Sequence, residues 1–91
     1  MSKTATKPIK VAIVDDHEAI RLGFAGACLE YGYQLVAHAP TVDELIPKLN
    51  KKPQVVVLDL SLADGSEPSQ NVRKLIDYGT EVLIFSIADR T

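Results

Sequence analysis

The run Val55-Val56-Val57-Leu58, closed by Asp59, restricts the possible folds more than any other stretch of the chain. Four branched apolar residues in succession after Pro53 lack the alternation of a half-wet strand and are too few for a helix of their own. They predict a central, parallel-type strand buried on both faces. Asp59 then stands at the carboxyl end of that strand, the edge at which open α/β sheets bind ligands. A lone aspartate there serves equally well as a cap for the following loop. A second apolar run, residues 9–14, also ends in acid, Asp15-Asp16, and turns the placement into a pattern.

Around these two runs the chain alternates strand and helix. Residues 1–8 are polar and predict a disordered lead-in, because nothing in them repays the entropy of ordering. A first helix is predicted over residues 17–30, with Ile20, Phe24, Ala27 and Tyr31 inward, Arg21 and Glu30 outward, and Gly32 ending it. Residues 33–39 predict a second strand. Gln34 and His38 interrupt its apolar pattern, which suits a sheet edge. Thr41 with Glu44 forms a capping box ahead of Leu45, Ile46 and Leu49. Pro47 inside that segment predicts a kink or a short helix. After the third strand, Asp64-Gly65 signals a turn, and a third helix is predicted over residues 69–78 with Val72, Leu75 and Ile76 inward and Gly79 as its C-cap. Residues 81–85 complete a fourth strand. The order βαβαβαβ, joined by right-handed crossovers, predicts a parallel sheet with helices on both faces.

Composition narrows the function. Ninety-one residues, 46% apolar and 24% charged, make one small globular domain near the lower size limit for standing alone. Ten bases scattered among twelve acids form no nucleic-acid footprint. The single cysteine, Cys28, excludes an internal disulfide framework and reads as a small buried helix residue. No apolar run approaches a membrane span and the start has no secretory character, so a cytoplasmic chain without membrane contact is expected. Asp15-Asp16-His17-Glu18 follows the first strand in place of a glycine-rich phosphate loop, which argues against dinucleotide or nucleoside triphosphate binding. The apolar fourth strand has no successor to pair with, so the chain is expected to be cut from something longer or completed by a partner.

If the first and third strands are neighbours, Asp15, Asp16 and Asp59 converge. Three close carboxylates raise one another's pKa unless a cation is present, and a hard divalent ion such as magnesium takes carboxylates and a carbonyl while leaving room for phosphate oxygens. Part of the cluster has a structural alternative. Asp15 can N-cap the first helix with Glu18 as its capping-box partner, and Asp16 can favour the positive helix end. Asp59 can be a bystander, a metal ligand or a nucleophile that forms an acyl phosphate. Ser86, on the same edge, offers a hydroxyl to a phosphoryl oxygen or caps a loop.

The stretches Val11-Ala12-Ile13-Val14-Asp15-Asp16-His17, Val55-Val56-Val57-Leu58-Asp59-Leu60 with Asp64-Gly65-Ser66, and Val82-Leu83-Ile84-Phe85-Ser86 closely resemble the receiver domain of bacterial two-component response regulators. They look most like receivers that precede a helix-turn-helix DNA-binding domain. The resemblance covers residues 9–91 as a partial receiver domain. It implies a flavodoxin-like, doubly wound parallel sheet of order 2-1-3-4, with strand 5 and helices 4 and 5 missing. It implies Asp59 as phosphoacceptor, a magnesium site of Asp15, Asp16, Asp59 and the Ser61 carbonyl in which Asp16 ligates directly and Asp15 acts largely through water, and Ser86 as the switch hydroxyl. The implied partners are a sensor histidine kinase and, through a separate domain of the parent protein, DNA. The sheet face and edge that the missing elements would cover imply self-association. Ala63 stands where the family usually has proline, and Glu67-Pro68 replaces its more usual small or glycine-containing continuation.

On this reading the chain is a signalling domain and not an enzyme. A magnesium-dependent phosphatase of the haloacid-dehalogenase kind resembles Asp-x-Asp at its nucleophile, whereas this chain has Asp59-Leu60-Ser61. A phosphorylation-independent, receiver-like interaction module is the second alternative, and the intact acidic trio argues against it.

Overall fold

In a computed structural model, residues 7–62 and 64–85 are described. Four strands, β1 (Lys10–Val14), β2 (Gln34–Ala39), β3 (Val55–Asp59) and β4 (Glu81–Phe85), form one parallel sheet in the order β2-β1-β3-β4. The apolar runs thus take the two central positions, and β2, broken by Gln34 and His38, lies at an edge as expected. The expected lead-in falls largely outside the described residues; Lys7 and Pro8 have no regular structure.

Three helices follow the strands: α1 (Glu18–Tyr31), α2 (Val42–Leu45) and α3 (Pro68–Tyr78). Gly32 and Gly79 end α1 and α3 at φ 83° and 105°, left-handed conformations that favour glycine. At α2 the Thr41 hydroxyl accepts from the Glu44 backbone N–H at 3.0 Å, which caps the start. The helix gives way to a 3-10 turn, Ile46–Lys48, around Pro47, because proline has no N–H for the α-helical bond to Asp43.

The main buried cluster lies on one face of the sheet, with Val11, Ile13 and Cys28 buried on the other. Ala12, Val14, Val56 and Leu58 pack in that cluster with Leu45 and Leu75, all without exposure. The expectation that β3 is buried on both faces holds only in part, since Val55 and Val57 on the opposite face are half-buried. Three helical placements also need correction. Ala27, expected inward, is exposed, and Tyr31 and Ile76, also expected inward, are 72% and 57% exposed. Cys28 is the buried residue of α1, and Asn71 joins Leu75 as the buried pair of α3.

Candidate functional site

Parallel pairing of β1 with β3, Val14 opposite Leu58, sets Asp15 and Asp59 side by side just beyond the register. Asp15 is fully buried and Asp59 is 7% exposed. Asp16 lies partly buried beside them. With His17, these residues offer donor atoms that all lie within 4.8 Å of one another. The carboxylate convergence expected from the sequence is therefore present in the fold.

The backbone reaches this arrangement through two tight turns. Asp15 Oδ1 accepts the His17 N–H at 2.8 Å, and Asp59 Oδ1 accepts the Ser61 N–H at 3.2 Å. Such side-chain-to-backbone bonds across two residues are the usual turn chemistry of aspartate. The first one corrects an alternative. Asp15 does not cap α1; the N-cap is His17, with no side-chain cap bond. The helix starts later than an Asp15–Glu18 capping box requires, which leaves the Asp15 carboxylate to the pocket.

His17 was not among the site residues expected from the sequence. Its Nδ1 lies 2.9 Å from Asp15 Oδ1 and 3.1 Å from Asp16 Oδ1. The hydrogen bond to Asp15, followed by the charges of Asp16 and Asp15, raises the His17 pKa. Asp59 is also raised, chiefly by burial; the Ser61 N–H opposes this, and the Asp15 and Asp16 charges add to it. Asp15 Oδ2 is buried and has no hydrogen-bond partner among the described residues. A buried carboxylate oxygen without a partner is costly. Together with clustered hard oxygen donors, it fits a small divalent cation.

Arg21 also differs from expectation. Expected to face outward, it is half-buried and turns back over the site. Its Nη1 donates to the Asp15 carbonyl at 2.6 Å and its Nε to His38 Nδ1 at 3.2 Å. One guanidinium thus ties α1 to the ends of β1 and β2. Its place one turn after His17 was the available signal, as an arginine there reaches back over the strand ends. Ser61 lies beside Asp59 and is exposed. Ser86 and Ala63 lie outside the described residues.

An open parallel sheet with an acidic pocket at its carboxyl edge is a ligand-binding α/β architecture. Over its four described strands the chain has the receiver fold of response regulators. It is similar to the receiver domain of NarL from Mycobacterium tuberculosis, with 25% identity over 93% of this chain and 71% of that one, at a TM-score of 0.75. It is also similar to a LuxR-family two-component response regulator from an Aurantimonas species, with 28% identity over 90% and 61%, at 0.75. The receiver domain of PhyR from Erythrobacter litoralis matches at 24% identity over 87% and 63%, at 0.72. The chain thus spans 63% of that isolated domain, and 32% of PhyR from Brucella abortus. No family model and no curated protein matches the chain.

Proposed function

We propose that the chain accepts a phosphoryl group on Asp59 from a phosphohistidine of a sensor histidine kinase, and so acts as the input domain of a response regulator. The observation that carries this reading is the convergence of Asp15 and Asp16 with Asp59 at the carboxyl edge of two central strands. In the transfer, an Asp59 carboxylate oxygen forms a bond to phosphorus as the phosphorus–nitrogen bond breaks, and the departing imidazole keeps that electron pair. The Ser61 N–H fixes the other end of the reaction geometry by holding Asp59 Oδ1. Arg21 fixes the backbone of Asp15. Asp16, Asp59 and the Ser61 carbonyl would hold Mg2+, with Asp15 acting largely through water, and the ion would supply charge that neutralises the phosphoryl oxygens.

Ser86 directly follows Phe85, whose carbonyl accepts the Leu60 N–H at 3.0 Å. This tether to the residue after Asp59 supports Ser86 as the hydroxyl that responds to the phosphoryl group. The output in the whole protein is a DNA-binding domain, a reading supported by the sequence resemblance to receivers that precede a helix-turn-helix domain. The setting is cytoplasmic, and the chain self-associates through the apolar sheet face. It signals and has no enzymatic turnover of its own.

Mass analysis after incubation with acetyl phosphate and Mg2+ tests the proposal. A single phosphoryl adduct is expected, lost in Asp59→Asn. No adduct on the unmodified protein would favour a phosphorylation-independent interaction module, and steady phosphate release from varied esters would favour a phosphatase.

A further inference from the structure

The sheet has two outer strands, and they differ in how their edges are defended. On β2 the pairing with β1 shifts register between Val11 and Ala12. The Ala39 carbonyl accepts the Asp15 N–H, so the preceding His38 carbonyl points away from β1, and there it accepts from Lys48 Nζ at 3.1 Å. Irregular pairing and a lysine laid over the edge are ordinary protections against pairing with another chain.

Strand β4 has neither. Its register with β3 runs unbroken from Glu81 to Phe85, and Val82-Leu83-Ile84-Phe85 contains no charge, proline or glycine. Leu83 and Ile84 point to opposite faces of the sheet, and both are exposed. The backbone is more specific still. The Glu81 N–H donates to the Gln54 carbonyl at 3.1 Å, and the Phe85 carbonyl accepts the Leu60 N–H at 3.0 Å. Backbone groups alternate sides along a strand, so Glu81, Leu83 and Phe85 face β3. The N–H and C=O of Val82 and Ile84 therefore face outward, where no strand among the described residues meets them.

We propose that β4 pairs antiparallel with β4 of a second copy of this chain, about a twofold axis at Leu83, and so joins two sheets into one. In that register Val82 of each copy faces Ile84 of the other as a hydrogen-bonded pair, which satisfies every outward N–H and C=O of these two residues. Leu83 faces its own symmetry mate at the closer, non-hydrogen-bonded spacing and shields it from water. Glu81, the one charged residue of the strand, stands opposite Phe85, so no like charges meet across the pair. Because β2 is defended, each copy has one pairing edge, and a patch that binds itself closes at two copies instead of extending into a fibre. This pairing is separate from the phosphoryl-accepting role and from association through the α1 face.

Amide hydrogen exchange read by NMR across a dilution series, with light scattering on the same samples, tests the proposal on the unmodified chain. The Val82 and Ile84 amides should gain protection in step with dimer formation, by about tenfold or more once the dimer dominates, whereas the Leu83 and Phe85 amides, bonded to β3, stay protected throughout. Ile84→Pro removes an outward N–H and leaves the ladder to β3 intact, as proline on an edge strand does, and should weaken dimerisation by about tenfold or more. Leu83→Cys should cross-link to its mate on oxidation, because a non-hydrogen-bonded pair brings Cα atoms to about 4.5 Å, within disulfide reach. A dimer whose Val82 and Ile84 amides stay unprotected, or one that Ile84→Pro leaves intact, overturns the edge pairing in favour of the sheet face. A monomer at every concentration up to millimolar overturns the second copy as occupant, and protection of the two amides in that monomer assigns the edge to another segment of the same chain. None of these outcomes bears on the phosphoryl reading, which Asp59→Asn tests.

Discussion

On the face of the sheet covered by α2 and α3, Ala12, Val14, Val56 and Leu58 are fully buried, whereas on the face shared by α1, Val57 is half-buried and Leu83 remains 59% exposed. Val57 shares β3 with Val56 and Leu58, Leu83 lies on the neighbouring β4, and all are apolar, so the difference lies in what covers them. Helix α1 packs over β1 and β2, where Val11 and Ile13 are buried, and Cys28 is the buried residue of the helix itself. Beyond it, Ile9, Val11, Val55, Val57 and Leu83 line an apolar cavity of about 380 Å³ with α1 residues such as Phe24 and Tyr31. Hydrophobic character in a strand thus records the burial that the strand requires. The cover itself comes from another element.

The largest expected effect tests this contrast directly. Leu58→Ala opens a cavity in the packed face and should cost about 3 kcal/mol, whereas Leu83→Ala should cost under about 1 kcal/mol, as an exposed position does. Urea midpoints measure both, and equal losses would show that Leu83 is covered in solution. Self-association through the α1 face sharpens the comparison. Removing one leucine from a contact that buries it is worth about 1.5–3 kcal/mol, so Leu83→Lys should weaken association by roughly tenfold or more. Light scattering across a dilution series reads that change.

The same contrast explains how far the sequence could be read. Valine-rich runs and the terminating glycines define local structure, so the strands, the ends of α1 and α3 and the break at Pro47 were all legible, whereas the strand order came from the resemblance to receiver domains. Helical spacing marks an apolar stripe without naming its partner. Ala27, Tyr31 and Ile76 therefore seemed inward although each is largely exposed. The acidic trio was legible because each carboxylate ends an apolar run. The roles of His17, Arg21 and His38 were not, because they depend on how side chains turn after the strands end. A capping-box pattern at Asp15 and Glu18 matched a known local motif, but the competing turn to His17 prevailed.

Arg21 supplies by polar contact part of the attachment that α1 lacks in apolar packing. Its bonds to the Asp15 carbonyl and to His38 cross from helix to two strands. Arg21→Ala should lower stability by about 1–2 kcal/mol, within the range for hydrogen bonds to a charged donor after allowance for partial exposure. Arg21→Lys should recover only part of this, since an ammonium cannot reach both acceptors with a planar fork. Full recovery by lysine in urea denaturation would show that charge alone holds the helix.

The smallest effect lies where the covered face joins the site. Asp64 Oδ1 accepts from the Ser66 N–H at 2.9 Å and from its hydroxyl at 2.5 Å, and the Asn71 amide donates to Ser66 Oγ at 2.8 Å. Asn71 is buried on α3, so this chain of bonds pins the loop after Asp59 to the packed side of the sheet. The Ser66 bonds hold the Asp64 carboxyl below its ordinary 3.8. A depressed folded-state value means that the bonds stabilise the fold above the unfolded-state pKa and are lost as pH falls through the folded one. The Ser66 amide resonance should therefore titrate with a midpoint below 3.8. Asp64→Asn should abolish that titration and reduce stability slightly at neutral pH, with the difference vanishing in acid. An unshifted midpoint would mean that the loop is not pinned through Asp64, leaving Asp59 to be positioned by its own turn to Ser61.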